Sequence, residues 1–222
     1  MVTRPALLLA LFALAMSLPA SAEAAKKAPA AGKDALILDI GGDGIDLSAS
    51  TTTKLLTVKA QKVHWTKANC DEGFLVLDTA GLLKAGFKVS DPSGKLTGMV
   101  LFHGDVKVVG KHDEYKSNVQ ASGCVWTVLR DLDSNRDGKL DAMDPTWLYL
   151  RVWVDKNADG KIDTGEAVVL ADAAVKEITI FSGDTEGAAK ADADGNQRID
   201  GEFTKTDGKK AVATAVSLAA VK

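Results

Sequence analysis

The sequence has few of the residues on which most catalytic sites are built. It contains three histidines and two cysteines, and it has no Gly-x-Ser-x-Gly turn, phosphate-cradling loop or dinucleotide fingerprint. A zinc cluster of His103 and His112 with their neighbouring aspartates is one alternative, but the spacing of His64, His103 and His112 follows no zinc pattern. A sugar site lined by tryptophans is another, set against simple packing of those rings. We expect a protein that is not an enzyme.

The chain also lacks an excess of positive charge and an apolar run long enough to span a membrane. It carries 27 basic and 30 acidic residues, with no basic patch that would indicate nucleic acid or membrane partners. The longest apolar stretch, residues 6–18, is too short for a bilayer of about 30 Å. It follows Arg4 and precedes the small residues Ala20 and Ala22. This pattern predicts a secretory signal peptide at residues 1–22, with an uncleaved anchor as the alternative.

An exported location, periplasmic or secreted, follows from that signal. Its removal takes away one basic residue and no acidic one, so the net charge falls from −3 to −4. Residues 23–33 are predicted to be a flexible tether, and residues 34–222 a single folded domain. An even cysteine count in an exported chain favours a Cys70–Cys124 disulfide, with two buried free thiols as the alternative.

Two acidic twelve-residue segments match a calcium-binding loop position by position. We call residues 133–144 loop one and residues 155–166 loop two. Residues with side-chain oxygens occupy positions 1, 3, 5, 9 and 12 of both loops. Position 6, where such a loop turns sharply, is glycine. Position 7 is lysine, which would bind the metal through its backbone carbonyl. The predicted metal ligands are Asp133, Asn135, Asp137, Lys139, Asp141 and Asp144 in loop one, and Asp155, Asn157, Asp159, Lys161, Asp163 and Glu166 in loop two.

Two loops in the same register favour two Ca²⁺ ions over metal-free Asx turns. Leu140 and Ile162 occupy position 8, and in paired loops these residues form a short two-stranded bridge. Loop two closes with Glu166, which is long enough to bind in a bidentate manner, whereas loop one closes with the shorter Asp144. We therefore predict that loop two binds calcium more tightly than loop one.

The rest of the chain predicts an α+β fold, with short strands and helices organised around this closely spaced pair of EF-hand-like loops. Strands are predicted at residues 35–40, 73–77, 99–102, 105–109, 150–154 and 177–181. Helices are predicted to end near Arg130, to begin at Pro145, to cover residues 165–174, and to cover the tail from 210 to 221. Only ten residues separate the two loops, which favours a structural role for calcium over a sensor that opens a groove.

Five segments of the chain match one known family in order. They are Ala35-Leu-Ile-Leu-Asp-Ile-Gly-Gly-Asp-Gly-Ile-Asp46, Asp71-Glu-Gly-Phe-Leu-Val-Leu-Asp78, Leu101-Phe-His-Gly-Asp105, the region from Leu129 to Asp155, and Gly201-Glu-Phe-Thr-Lys-Thr-Asp-Gly208. These segments resemble the EF-hand-like calcium-binding module of bacterial RTX (hemolysin-type) proteins, and in particular the self-processing module of iron-regulated RTX proteins. They cover nearly the whole of residues 34–222, which the resemblance predicts to be a calcium-binding EF-hand/RTX-like domain.

The resemblance implies a calcium-triggered cleavage of the bond after an aspartate, with the side chain attacking its own carbonyl. The matching bond is Asp34–Ala35, where alanine replaces the proline of the family. A secondary amide is harder to twist out of resonance than an X–Pro amide, so we expect no self-cleavage. The remaining alternative is a calcium-dependent module that docks an unidentified protein partner.

Two further acidic segments fit the calcium pattern incompletely. Gly41 stands where the family has aspartate, which leaves Asp39 and Asp43 to hold a partial site. Residues from Asp192 to Asp200 form a possible third, weak calcium site, but they lack the central glycine and the closing carboxylate. An Asx-rich turn is the alternative for that segment.

Overall fold

The computed structural model describes residues 34–55, 60–90, 98–109, 124–181 and 189–221. These residues form mainly strands. The strands are β1 Asp34–Asp39, β2 Ala49–Thr53, β3 Gln61–Trp65, β4 Glu72–Asp78, β5 Lys88–Ser90, β6 Met99–Leu101, β7 Lys107–Val109, β8 Lys139–Leu140, β9 Leu150–Trp153, β10 Ala167–Val169, β11 Val175–Thr179, β12 Lys190–Ala191, β13 Gln197–Lys205 and β14 Lys210–Ser217. The helices are α1 Thr79–Ala85, α2 Val125–Leu132 and a 3₁₀ turn at Trp147–Tyr149.

One large antiparallel sheet organises the described part of the chain. Its strand order is β10-β9-β4-β1-β14-β13-β11-β8, with β6 paired to β4 and β12 paired to β13. Strand β1 lies in the middle, with Leu38 opposite Ala213 of β14 and Gly73 of β4. Two separate hairpin-like pairs, β2 with β3 and β5 with β7, lie outside this sheet.

The sheet is buried on both faces. Leu36 and Leu38 of β1 belong to a hydrophobic cluster on one face, together with the buried side of α2. Ala35 and Ile37 belong to a second cluster on the other face, built around Trp65. A strand covered on both sides has no need for alternating polar residues, which explains the continuous apolar run after Asp34.

The predicted α+β class is wrong, because the described chain is mostly antiparallel β-structure with two short α-helices. The helix predicted for residues 165–174 is instead β10 followed by a turn, and the predicted helix in the tail is instead β14. Alanine and lysine in the tail favour a helix in isolation. Pairing of β14 with both β1 and β13 outweighs that intrinsic preference.

Other local predictions agree with the structure. Strands lie at the predicted positions near residues 35, 73, 99, 107, 150 and 177, and α2 leads into loop one. None of the helices in the described residues is both long and apolar enough to cross a membrane. The predicted signal peptide and tether, residues 1–33, lie outside the described residues.

The predicted disulfide is absent, since Cys70 and Cys124 are free thiols. The Cys124 thiol lies beside the carboxyl group of Asp34, whereas Cys70 lies beside Glu72, which pairs with Asp39. Asp34 and Asp39 are the two ends of β1, about 16 Å apart at roughly 3.3 Å per residue. A disulfide needs Cα atoms within about 7 Å, so the two cysteines cannot join in this fold.

Candidate metal centre

The two predicted calcium loops share one backbone conformation. Position 4 has a positive φ in both, 59° at Arg136 and 56° at Ala158. Position 6 is also left-handed, with φ of 83° at Gly138 and 71° at Gly160. Non-glycine residues rarely adopt this region, so its recurrence at position 4 of both loops indicates that the acidic pattern dictates a common turn.

The oxygens of loop one are aligned by the amides of the loop itself. The carboxylate of Asp133 accepts hydrogen bonds from the amides of positions 5 and 6, over 3.3 and 2.9 Å. The side chain of Asn135 accepts a hydrogen bond from the amide of position 5 over 3.1 Å, and the side chain of Asp137 accepts one from the amide of position 7 over 3.0 Å. At position 12, Asp144 accepts from the amides of positions 2 and 9, over 2.7 and 3.0 Å. The loop is therefore closed end to end.

Loop two repeats this set of hydrogen bonds. The carboxylate of Asp155 accepts from positions 5 and 6 over 3.2 and 2.8 Å. Asn157 accepts from position 5 over 2.9 Å, and Asp159 from position 7 over 2.9 Å. Glu166 reaches the amides of positions 2 and 9 over 3.1 and 3.2 Å. Equivalent side chains in the two loops therefore accept equivalent hydrogen bonds, in agreement with their common sequence pattern.

Loop two has additional support from two buried tryptophans. The indole Nε1 of Trp65 donates to Oδ2 of Asp155 over 2.7 Å, and that of Trp153 donates to Oε2 of Glu166 over 3.0 Å. The Trp65 ring stacks on Phe74 with centroids 4.6 Å apart. The first and last predicted ligands of loop two are therefore hydrogen-bonded to the aromatic core.

Burial concentrates negative charge in loop two. Desolvation raises the pKa of Asp155, and the nearby charge of Glu166 raises it further. Hydrogen bonds from the amides of Gly160 and Asp159 and from Trp65 oppose this rise. Asp155 is 0% exposed. A carboxylate buried beside another carboxylate is stabilised when a cation binds between them.

The loops occupy different settings in the fold, and the predicted bridge between them is wrong. Loop one joins α2 to the 3₁₀ turn, whereas loop two joins β9 to β10, which pair with each other. Leu140 pairs with Ile178 of β11 and lies in the first hydrophobic cluster. Ile162 packs against the second cluster, on the other face of the sheet. The two position-8 residues are therefore separated by the sheet.

The donor set of each loop fits a hard cation. Each loop offers carboxylate oxygens, one asparagine amide oxygen and the position-7 carbonyl, the ligand types that Ca²⁺ prefers. Within the described residues, no three histidine, cysteine, aspartate or glutamate side chains form a ready-made metal cluster. A loop of this kind completes its coordination with amide, carbonyl and water oxygens and not with carboxylates alone.

In the third acidic loop, the segment from Asp192 to Asp200, the charge of the first carboxylate is neutralised by an arginine. Arg198 donates to Oδ2 of Asp192 through Nε over 2.9 Å and lies 2.8 Å away through a second nitrogen. Asn196 donates to the same oxygen over 2.9 Å. This segment is the turn between β12 and β13. Its first carboxylate is therefore paired with a guanidinium group.

The partial site near Asp39 is arranged differently from the family pattern. Asp39 accepts from the amides of Gly42 and Gly44 over 2.7 and 3.0 Å. A Cβ atom on Gly41 would lie 1.4 Å from Oδ2 of Asp71. An aspartate at position 41 would therefore require the side chain of Asp71 to move.

Sequence analysis missed the residues that support loop two from outside. Trp65 is 90 residues away from Asp155 in the chain, and Thr53, whose hydroxyl donates to the Gly160 carbonyl over 2.9 Å, is 107 residues away from its partner. No local pattern joins such positions. The other tryptophans, Trp126 and Trp147, are buried in the first hydrophobic cluster.

Asp34, at the predicted cleavage position, is buried at the end of β1. Its carboxylate accepts from the amide of Val125 over 2.6 Å and from that of Gly104 over 3.3 Å. Burial raises its pKa to about 6, against the opposing effect of these hydrogen bonds and of the Cys124 thiol. Asp34 and Ala35 both pair with β14, and Ala35 also bridges His103.

Comparison with known proteins adds two findings. A family model described as the SPM domain matches residues 103–219, slightly more than half of the chain. The chain is also similar to the iron-regulated protein FrpA of Neisseria meningitidis serogroup C, with 29% identity over 188 residues. That similarity covers 80% of this chain but only 14% of FrpA.

Proposed function

The chain belongs to the SPM domain family, and from that membership and the shared geometry of the two loops we propose that it binds two calcium ions. The observation that carries the proposal is the repeated set of hydrogen bonds that aligns the side-chain oxygens of positions 1, 3, 5 and 12 in both loops. Metal-free Asx turns need one such bond each. They do not require the closing carboxylate of position 12 to return to the amides of positions 2 and 9.

The role of the bound metal in this proposal is structural. Loop one contains β8 and joins α2 to the 3₁₀ turn, and loop two connects β9 to β10 at one end of the large sheet. Calcium would neutralise the carboxylates that these turns bring together, and so would hold the helix and the strands at the loop ends in place. The fold without calcium is accordingly expected to be looser around both loops.

Calorimetric titration of the mature chain with calcium tests this proposal. We expect a stoichiometry of two, with dissociation constants of about 10⁻⁴–10⁻³ M, the range typical of extracellular modules. Magnesium is the matched control, because its smaller octahedral shell fits a flexible loop of this kind poorly. Heat changes no larger than those of dilution at millimolar calcium contradict the proposal.

Two further parts of the proposal concern location and catalysis. We retain an exported location, supported by the signal-like pattern of residues 1–22. We also propose that the protein does not cleave itself, since Ala35 gives the Asp34–Ala35 bond an ordinary secondary amide. Calcium is the partner that the donor set supports. The similarity to FrpA concerns 14% of that protein, so it identifies no other partner.

A further inference from the structure

The β2–β3 hairpin contacts loop two at its sharpest turn. A Cβ atom added to Gly160 would lie 2.9 Å from Cγ2 of Thr51 and 3.0 Å from Cβ of Thr53. The hydroxyl of Thr53 also donates to the carbonyl of Gly160 over 2.9 Å. The hairpin therefore packs directly on position 6 of the loop.

The same hairpin also holds the first metal ligand of loop two. Its last residue, Trp65, donates to Oδ2 of Asp155 over 2.7 Å, and the amide of Gly160 donates to the same oxygen over 2.8 Å. Two donors on Oδ2 fix the orientation of the carboxylate, and Oδ1 accepts the amide of Asp159 over 3.2 Å. Just beyond the hairpin, the amide of Asn69 donates to the carbonyl of Lys156 over 3.0 Å.

Loop one lacks such side-chain cover at its turn within the described residues, and the carbonyl of Gly138 accepts instead from the amide of Ile180 over 2.9 Å. Its position-6 residue, Gly138, is exposed, and a Cβ atom placed there would meet no atom within 4 Å. In contrast, Gly160 is buried. The two loops share a backbone conformation and a ligand pattern, so the difference between them lies in what packs on the turn.

We propose that the β2–β3 hairpin is a clamp on loop two, in which Trp65 and Thr53 position the turn of the loop and its first ligand. Trp65 is a positioning residue in this scheme, because it acts on the ion through Asp155. Partners that orient metal ligands in this way typically change metal affinity by about 10–100-fold when they are removed. Occupancy of loop two should in return order the hairpin, because linkage acts equally in both directions.

This inference rests on the proposed calcium binding, and a pair of tryptophan variants tests it separately. Trp65→Phe keeps an aromatic ring against Phe74 but removes the donor to Asp155. Trp126→Phe is the matched control, because Trp126 donates its indole N–H over 3.1 Å to the carbonyl of Ile199 in β13, a residue that belongs to neither loop. We expect Trp65→Phe to weaken calcium binding at loop two by about tenfold or more. Trp126→Phe should change it by less than about twofold.

Hydrogen exchange on the intact wild-type chain provides a test that needs no variant to fold. Calcium should slow exchange of the amides in β2 and β3 relative to chelator, and should shift the indole N–H resonance of Trp65. Asp155→Asn should abolish both changes, whereas Asp133→Asn, in loop one, should preserve them.

The possible failures are distinct. If titration detects no calcium binding to the wild-type chain, the proposed function fails, and the clamp fails with it. If calcium binds with a stoichiometry of two but hairpin exchange is unchanged, the clamp is overturned and calcium binding stands. Equal affinities in Trp65→Phe and wild type also overturn the clamp.

Discussion

The indole Nε1 of Trp153 donates to Oε2 of Glu166 over 3.0 Å, which ties the closing ligand of loop two to a fully buried ring. Trp153 is the last residue of β9, and it lies opposite Phe74 of β4. The equivalent ligand in loop one, Asp144, accepts a side-chain hydrogen bond from Ser134, a residue of the same loop, over 2.9 Å. The predicted closing ligand of loop two is thus tied to the aromatic core, whereas that of loop one is held by its own loop, which is anchored through the pairing of β8 with β11.

This difference predicts that the two calcium sites are unequal. Glu166→Gln should weaken calcium binding at loop two by at least about tenfold, or about 1.4 kcal/mol of binding free energy. The tighter phase of a calcium titration should therefore disappear in this variant. Its matched control, Asp144→Asn, should remove the weaker phase and leave the tighter one in place. Calorimetry on both variants is the measurement. The prediction that loop two binds calcium more tightly than loop one is wrong if the tighter phase disappears in Asp144→Asn.

Calcium should also raise the free energy of unfolding. Binding to the native state alone adds about 2.7 kcal/mol per site when free calcium is a hundredfold above the dissociation constant. Thermal melts in chelator and in excess calcium measure the effect. A double variant, Asp133→Asn with Asp155→Asn, serves as the control and should melt at the same temperature in both conditions. An unchanged midpoint for the wild-type chain speaks against a structural role for the metal.

The shared conformation of loop one and loop two agrees with their shared sequence pattern, because the information for such a turn is local. Each ligand follows from its position within twelve consecutive residues, and so does the left-handed turn at Gly138 and Gly160. The face of the sheet on which each loop packs could not be predicted from such local information. Leu140 and Ile162 are equivalent within their loops, but strand pairing with β11 directs one to one face of the sheet while the other packs on the opposite face.

The tail shows the same limit for secondary structure. Residues Lys210–Ser217 are rich in alanine and valine and have no turn residue, so the local pattern is compatible with a helix. They form β14 because β1 and β13 present two edges to be paired. Such long-range pairing also accounts for Trp65 and Thr53, whose function depends on a loop about a hundred residues away. Sequence reasoning therefore proposed the ligands from local spacing, but it could not identify the distant residues that contact the loops.

The buried carboxyl group of Asp34 predicts a specific pH dependence of stability. Burial raises its pKa from 3.8 to about 6, so folding favours the protonated form. The contribution of protonated Asp34 to the free energy of unfolding is fully present below about pH 3.8, and it is lost as the pH rises through about 6. Compared with Asp34→Asn, which cannot ionise, the wild-type chain should lose up to about 3 kcal/mol between those limits.

Urea unfolding of both proteins in chelator, across that pH range, is the measurement. Chelator removes the contribution of bound calcium, and the loop carboxylates titrate equally in the two proteins, so the difference isolates position 34. A constant difference in unfolding free energy from pH 3.5 to 7 contradicts the assignment.

The ion pair between Asp192 and Arg198 predicts that the third acidic loop binds no calcium. Both side chains are partly buried, 19% and 24% exposed. Asp192→Asn should lower the free energy of unfolding by about 1 kcal/mol and leave the calcium stoichiometry at two. Arg198→Gln is the companion variant and should give a similar loss. A drop in stoichiometry in Asp192→Asn shows instead that the loop holds an ion.

The bond between Asp34 and Ala35 should remain intact in calcium. Both residues lie in β1 and pair with β14, and the two carboxylate oxygens of Asp34 accept hydrogen bonds from the amides of Val125 and Gly104. Attack by this side chain on its own carbonyl requires one of these bonds to break. It also requires the amide to twist out of resonance, against a rotational barrier of about 18–20 kcal/mol.

Intact-mass measurement after prolonged incubation in millimolar calcium tests this expectation, with chelator as the control. We expect one species of unchanged mass in both. A fragment beginning at Ala35 that forms only in calcium shows that proline is dispensable for cleavage. Ala35→Pro supplies the comparison: cleavage in that variant, but not in the wild-type chain, shows that the remaining groups are competent and that the ordinary amide is what protects the bond.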